Sequence, residues 1–166
     1  MMHGSEPGAI LFLDFDGVTH GINCPTDELF RHLDQLEEWL RAHANVDVVI
    51  SSSWREWHPL EEMRSYFSED LQARVIGATP ILKRDPWAQT HGERLRARYE
   101  RESEILRWQS QEAMKGCRWA ALDDQAVLFQ PRCPQLVLCD GRVGLAAREL
   151  DAVWDILSVG FVRDVP

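Results

Sequence analysis

Five short apolar runs alternate along the chain with longer segments in which apolar residues recur at helical spacing. The runs cover residues 9–13, 46–50, 74–78, 119–122 and 136–139. Short, continuous apolar runs are typical of strands that are buried on both faces of a parallel sheet. Because strand–helix–strand units cross over with one hand, they place helices on both faces of such a sheet. The pattern predicts an α/β, Rossmann-like fold with a central parallel sheet of about five strands.

The segments between these runs carry the helical pattern. Residues 27–44 place apolar side chains on one helical stripe, with Thr26 as a plausible N-cap and Asn45 as a stop. A second helix is expected to begin at Pro59, which suits a first helical turn. Residues 92–111 form a charged helix, and residues 146–157 form the last one.

Length and composition narrow the class of protein. We expect one domain over residues 1–166, and the 45% hydrophobic and 27% charged residues are typical of a globular protein. The apolar run 9–13 stops at Asp14, so it predicts neither a signal peptide nor a membrane span, and we expect a cytoplasmic protein. The net charge of −9 disfavours non-specific nucleic-acid binding unless a local basic patch is present. The oligomeric state is left open.

Acidic residues follow two of the predicted strands. Asp14 and Asp16 come after the first strand, and Asp123 and Asp124 come after the fourth. In open parallel sheets, ligands bind beyond the carboxyl ends of the strands, so these side chains should converge if the two strands are neighbours. Carboxylates that converge repel one another unless a cation binds between them, and their oxygen atoms are the ligands that Mg²⁺ prefers. Zinc is not expected, because the sequence shows no set of His or Cys residues that would converge with them.

Asp14 and Asp16 are two residues apart on an extended segment. Their side chains therefore point the same way, while Phe15 points into the fold. One carboxylate can attack phosphorus while the other protonates the leaving oxygen and then deprotonates water. This division predicts hydrolysis in two steps through an aspartyl phosphate.

The motif LFLDFDGV resembles the first motif of the haloacid dehalogenase (HAD) superfamily. Ser51, which ends the VDVVI strand, resembles the second motif, and ALDD at residues 121–124 resembles the fourth. The resemblance implies that Asp14 is the nucleophile and that Asp16 is the general acid and base, with its backbone carbonyl on the metal. It also implies that Asp123 and, more weakly, Asp124 bind Mg²⁺, and that Ser51 binds the transferred phosphoryl group.

Five further sequence segments indicate a particular family within this superfamily. VVISSSWRE, RVIGATP, RxxEI, WAALDD and LVLCDGRVGL are similar to the capless phosphatase domain of Swiss Army Knife RNA repair proteins. In that pattern Arg101 is the third-motif cation, Arg98 is the alternate one turn away, and Lys83 and Arg84 are less favoured. The chain departs from the pattern at Thr19, where an apolar residue is common, and we expect this change to affect the loop more than the chemistry.

The chain leaves little room for a cap over the site. Only residues 18–25 are available after the first motif, so we expect a minimal cap or none, and an open site that admits a bulky phosphorylated substrate. The expected activity is Mg²⁺-dependent hydrolysis of a phosphomonoester, on a nucleic-acid end, a nucleotide or a phosphoprotein. Two alternatives are a small-molecule phosphatase and a non-catalytic binding module that keeps the carboxylates to position a partner.

Other polar residues are weaker candidates for the active site. Ser52 and Arg55 are candidate substrate contacts, although Ser52 also suits a turn cap and Arg55 a surface salt bridge. Asp140 beside Gly141 is typical of a turn. His20 and His58 lie on loops that could rim the site, and surface placement is expected for both.

Overall fold

Strands and helices alternate through residues 8–82, 90–92 and 98–159, which the computed structural model describes. The strands are β1 (Ala9–Leu13), β2 (Val46–Ile50), β3 (Val75–Ala78), β4 (Trp119–Asp123) and β5 (Leu136–Leu138). The helices are α1 (Leu33–Ala42), α2 (Leu60–Arg64), α3 (Glu69–Gln72), α4 (Glu100–Gln111) and α5 (Ala147–Ser158). Short 3-10 turns lie at Thr26–Glu28, Ser53–Glu56 and Ala126–Leu128. Among the described residues, no helix has both the length and the apolar character needed to cross a bilayer.

The five strands form one parallel sheet in the order β3-β2-β1-β4-β5. β1 is central, between β2 and β4, and the helices cover both faces. This arrangement confirms the predicted α/β, Rossmann-like fold. It also confirms that the first and fourth strands are neighbours, which the convergence of their acidic residues required.

Both faces of the sheet are buried because β1 alternates its apolar side chains between them. Leu11 and Leu13 belong to the core on the side of α1 and α5. Phe12 points to the other side, where its ring meets the edges of Trp108 and Trp119 at 5.7 Å between centroids. Fully burying a side chain of this size contributes about 1.5–3 kcal/mol. The core therefore holds β1, which carries the first motif, rigidly in the middle of the sheet.

All five strands lie within one residue of the prediction at each end, but the first helix is shorter than predicted. α1 begins at Leu33 instead of residue 27, and Thr26 starts a 3-10 turn without capping a helix. The helix cannot pass through Phe30, whose φ of +59° is left-handed. This conformation costs a bulky residue about 1–2 kcal/mol. It is offset by packing of the Phe30 ring against Phe15 and Tyr66, at 5.2 and 4.8 Å between centroids.

The remaining predicted helices are observed with adjusted bounds. α2 follows Pro59 directly, and α5 begins and ends within one residue of the prediction. The charged helix predicted over residues 92–111 is observed as α4, and residues 93–97 lie outside the described residues. Between β1 and β2 the chain holds only a 3-10 turn and α1, so no separate cap domain is inserted there.

Candidate active site

The carboxyl ends of β1, β2 and β4 bring three motif residues side by side. Leu13 pairs in register with Ile50 on one side and with Leu122 on the other. The next residue of each strand, Asp14, Ser51 and Asp123, therefore lies at the same edge of the sheet. The amide of Asp14 donates to the Leu122 carbonyl at 3.1 Å, and that of Ser51 donates to the Leu13 carbonyl at 3.0 Å. These backbone bonds fix the three motifs relative to one another.

Three carboxylates converge at this edge. Asp14, Asp123 and Asp124 each offer an oxygen within 4.8 Å of the others. Asp14 and Asp123 are buried, with 3% and 0% of their surface exposed. Within the described part of the chain, Asp124 Oδ1 is buried without a hydrogen-bond partner. A buried carboxylate oxygen that lacks a donor is suited to a cation, and an all-oxygen set is the donor chemistry of Mg²⁺. The residues present therefore fit the expected metal.

The electrostatics of the cluster also call for a cation. Burial, reinforced by the charge of Asp123 and opposed by that of Arg101, raises the pKa of Asp14 to about 8. Burial likewise raises the pKa values of Asp123 and Asp124. Like charges held close together away from water disfavour one another's ionised form. Without a metal cation, burial and mutual repulsion therefore disfavour ionisation of all three groups together.

Arg101 is the described third-motif candidate whose side chain reaches the site. Its Nη1 donates to Asp123 Oδ2 at 2.7 Å and lies 3.6 Å from Asp14 Oδ1. Burial alone would lower the pKa of Arg101, but the charges of Asp123 and Asp14 hold it above its usual value. Arg98, the alternate, is exposed and lies 5.5 Å over the ring of Tyr99. The other two candidates, Lys83 and Arg84, lie outside the described residues.

Asp16 is held apart from the three-carboxylate cluster. Its Oδ1 is 2.8 Å from His20 Nε2, and its Oδ2 accepts a hydrogen bond from Trp54 Nε1 at 3.0 Å. Its side chain nevertheless remains 51% exposed. These contacts involve only the side chain, so the predicted contact of the Asp16 backbone carbonyl with a metal stays a prediction. The expectation that His20 lies on the surface is wrong, since only 1% of it is exposed.

The two weaker substrate candidates make internal contacts. Ser52 Oγ accepts from the amide of Trp54 at 3.3 Å, so it caps the turn after β2. The side chain of Arg55 is only 5% exposed and pairs with Glu104 of α4, which corrects the expectation of a surface salt bridge. Its guanidinium also donates to the carbonyls of Ser51, at 3.1 Å, and Thr79, at 2.9 Å. These contacts give Ser52 and Arg55 structural roles, and their contact with substrate stays a prediction.

Two glycines allow the backbone to approach Asp124 closely. A Cβ at Gly17 would lie 2.4 Å from Asp124 Oδ2, and one at Gly141 would lie 2.5 Å from the same atom. Gly17 also has a φ of +76°, which disfavours any other residue. Asp140 accepts hydrogen bonds from the amide and guanidinium of Arg142, in keeping with its predicted place in a turn. Asp124 is thus held between two turns.

Sequence reasoning missed the partners of Asp16 and Arg55. The spacing of His20, four residues after Asp16, was a usable signal, because a tight turn after the first motif can bring them together. Trp54 and Glu104 carried no comparable signal, because the fold brings them to the site from the 3-10 turn after β2 and from α4. Gly141 was noted only as part of a turn.

This edge of the sheet defines the class of the protein: it is an α/β domain of the HAD type, with the acidic residues of two motifs on neighbouring strands. The chain belongs to the family described as the HAD domain in Swiss Army Knife RNA repair proteins, whose family model matches residues 10–150. Membership points to a hydrolase of the phosphatase type in general, and HAD proteins generally use Mg²⁺. Searches of curated proteins and of solved structures returned no match to the chain.

Proposed function

We propose that the protein is a Mg²⁺-dependent phosphatase that hydrolyses a phosphomonoester through a phosphorylated Asp14. One observation carries the proposal. Asp14 is buried at the junction of three strand ends, 3.6 Å from the Arg101 guanidinium and in one cluster with Asp123 and Asp124. A nucleophile beside a fixed cation and a set of metal ligands is the arrangement that phosphoryl transfer requires.

The residues divide the reaction into two steps. In the first, a carboxylate oxygen of Asp14 bonds to phosphorus as the bond to the leaving oxygen breaks, and Asp16 gives that oxygen a proton. In the second, Asp16 takes a proton from water, whose oxygen attacks phosphorus and releases inorganic phosphate and free Asp14. Arg101 and Ser51 bind the phosphoryl oxygens. Asp14, Asp123 and Asp124 would hold Mg²⁺, which neutralises negative charge on the phosphate and the carboxylates.

The proposed substrate is a phosphorylated nucleic-acid end or a nucleotide, in an RNA-repair-like and cytoplasmic setting. Two observations support it. The family is named for RNA repair proteins. Asp16 is half exposed and no domain is inserted between β1 and β2, so a bulky substrate end has access from this side. A small phosphorylated metabolite is the competing substrate, because an open site does not exclude it.

The first experiment compares wild-type protein with Asp14→Asn on p-nitrophenyl phosphate, with and without Mg²⁺. Asp151→Asn on the exposed face of α5 makes the same charge change away from the site and serves as the matched control. We expect hydrolysis by wild type and Asp151→Asn in Mg²⁺ only, and loss of at least 1000-fold in Asp14→Asn. Equal rates for wild type and Asp14→Asn would refute the phosphatase and favour a non-catalytic binding module.

A second experiment addresses the substrate. Oligonucleotides that carry a 5′- or 3′-phosphate are compared with mononucleotides and sugar phosphates at equal concentration. We expect a higher kcat/KM on oligonucleotide or mononucleotide phosphates than on sugar phosphates. The reverse order would favour a small-molecule phosphatase and would leave the roles of Asp14 and Asp16 unchanged.

A further inference from the structure

His20 lies next to Asp16 in a buried position, although it follows the first motif in an apparently irregular loop. Its Nε2 is 2.8 Å from Asp16 Oδ1, and the two residues also form an isolated backbone bridge. The ring packs edge-on against Phe30 at 5.2 Å between centroids. Because 99% of this histidine is shielded from solvent, its ring is fixed with respect to the Asp16 carboxylate.

The hydrogen bonds identify which ring nitrogen carries the proton. The amide of Phe30 donates to His20 Nδ1 at 3.3 Å, so Nδ1 must present a lone pair. In a neutral imidazole the hydrogen is then on Nε2, from which it is donated to Asp16 Oδ1. Thr19 Oγ1 lies 3.1 Å from Nδ1 and also 3.1 Å from the Phe15 carbonyl, so its hydroxyl can serve either acceptor. The Thr19 hydroxyl is thus compatible with this tautomer, and the Phe30 amide is the contact that selects it.

The backbone is strained where it supplies this amide. Phe30 is in the left-handed region, which bulky side chains avoid, and the same conformation delays the start of the predicted helix to Leu33. Strained positions persist where the surrounding structure over-determines them, and they concentrate at functional sites. Here the strained residue contributes its N–H to His20 and its ring to the packing around it.

The second oxygen of Asp16 is also held. Trp54 Nε1 donates to Oδ2 at 3.0 Å, and the indole lies 6.0 Å from the His20 ring. Asp16 is close enough to the metal site for its charge to raise the pKa of Asp124. A carboxylate that near a cation would be drawn toward it if it were free to rotate. Two N–H donors oppose that rotation and leave half of the side chain accessible.

From these contacts we propose that His20 is a positioning residue for proton transfer: its Nε2–H keeps the Asp16 carboxylate directed at the leaving oxygen and away from the metal. The proposal rests on the function proposed above. It assigns to His20 no contact with substrate and no change of charge during the reaction.

The test uses two variants and two substrates. His20→Phe keeps an aromatic ring but removes the donor, whereas His20→Gln retains an N–H that can reach Asp16. Phenyl phosphate needs protonation of its leaving oxygen, and p-nitrophenyl phosphate needs it far less. The parameter kcat/KM reports the steps up to departure of the leaving group, so it isolates the acid role of Asp16 from the later attack by water.

We expect His20→Phe to lower kcat/KM for phenyl phosphate about 100-fold, within the range that general acid catalysis contributes, and for p-nitrophenyl phosphate less than 10-fold. His20→Gln should recover most of the loss. An equal decrease for both substrates, or no recovery in His20→Gln, would overturn the proposal while hydrolysis that depends on Asp14 still stands. If wild type and Asp14→Asn hydrolyse equally, it is the proposed function that fails.

A measurement that does not depend on activity tests the same geometry. Nitrogen-15 chemical shifts distinguish the two neutral tautomers of His20, and we expect hydrogen on Nε2 in the wild-type protein. Hydrogen on Nδ1 would overturn the proposal whatever the kinetics show. If His20→Phe does not fold, His20→Asn replaces it in the kinetic test, because its shorter amide does not extend as far toward Asp16.

Discussion

Replacing Asp14 by Asn should stabilise the metal-free protein even as it abolishes the proposed activity. Asp14 is buried beside two other carboxylates, so the folded state can ionise it only at a free-energy cost. Asn has nearly the same shape and carries no charge. Its side-chain oxygen can still accept the hydrogen bond that the Phe15 amide donates to Asp14 Oδ1 at 2.8 Å. The substitution thus removes the charge and keeps the contact.

The size of the effect follows from the pKa of Asp14, which is raised from 3.8 to about 8. A raised pKa means that the folded state binds the proton more tightly than the unfolded state. Its contribution to stability is therefore complete below pH 3.8 and is lost as the pH rises to about 8. The loss grows by about 1.4 kcal/mol per pH unit and would reach about 4 kcal/mol at pH 7. Relaxation around buried charges reduces such costs, so we expect about 2 kcal/mol.

The assay is thermal unfolding in EDTA between pH 4 and pH 8, with Asp151→Asn as the control for loss of a negative charge. For a chain of this length, about 2 kcal/mol corresponds to an increase in Tm of roughly 4–8 °C. We expect this increase for Asp14→Asn at pH 7, and we expect it to shrink toward pH 4. Added Mg²⁺ should raise the Tm of wild type more than that of Asp14→Asn, because the variant lacks one ligand charge.

If wild type and Asp14→Asn have the same Tm at every pH in EDTA, this prediction is wrong. That result would mean that the Asp14 charge is not disfavoured in the folded protein. An increase in Tm for Asp151→Asn as large as that for Asp14→Asn would instead assign the effect to the net charge of −9.

Three further predictions concern the site and its supports. In steady-state assays, Arg101→Met should lower kcat/KM 100- to 1000-fold, and Arg98→Met should change it only a few-fold. Equal losses in the two variants would contradict the assignment of Arg101 as the third-motif cation. Gly17→Ala should weaken Mg²⁺ binding in calorimetry, whereas Gly116→Ala, with a φ of +90° but open space around its Cβ, should change stability alone. Unaltered Mg²⁺ affinity in Gly17→Ala would show that close approach is not required. Arg55→Met should lower the free energy of unfolding by about 3–5 kcal/mol in denaturant titrations, because it leaves the buried Glu104 carboxylate without its partner. A loss below about 1 kcal/mol would contradict this role of the ion pair.

The amino-acid sequence determined the sheet and the identity of the motif residues. An apolar run that ends in Asp14, and another that ends in Asp123, are local patterns, and local patterns suffice because a buried parallel strand must be apolar on both faces. Parallel strands also have their carboxyl ends at one edge, so the sequence predicted that the carboxylates would converge if β1 and β4 were neighbours, and the strand order shows that they are. The fold class therefore follows from the local sequence pattern, and the observed sheet confirms it.

The first helix shows where local pattern is insufficient. The apolar spacing of residues 27–44 is helical throughout, but the chain takes a left-handed turn at Phe30. The Phe30 ring packs against Phe15 and Tyr66, and its amide donates a hydrogen bond to His20, so the contacts come from two other parts of the chain, the segment after β1 and the segment after α2. Tertiary packing therefore outweighs helix propensity at this position, because propensity differences are only a fraction of a kcal/mol per residue.

Tertiary structure alone decided which polar side chains meet. The sequence offered Arg101 and Arg98 as alternatives, and only the structure shows that Arg101, in the first turn of α4, reaches the carboxylates, whereas Arg98 precedes α4 and is exposed. The same holds for His20, which looked like a surface residue and is buried against Asp16. Hydrogen bonds and ion pairs form only when two side chains come within a few ångströms of each other. When the two residues lie far apart in the sequence, the local sequence pattern does not determine that distance.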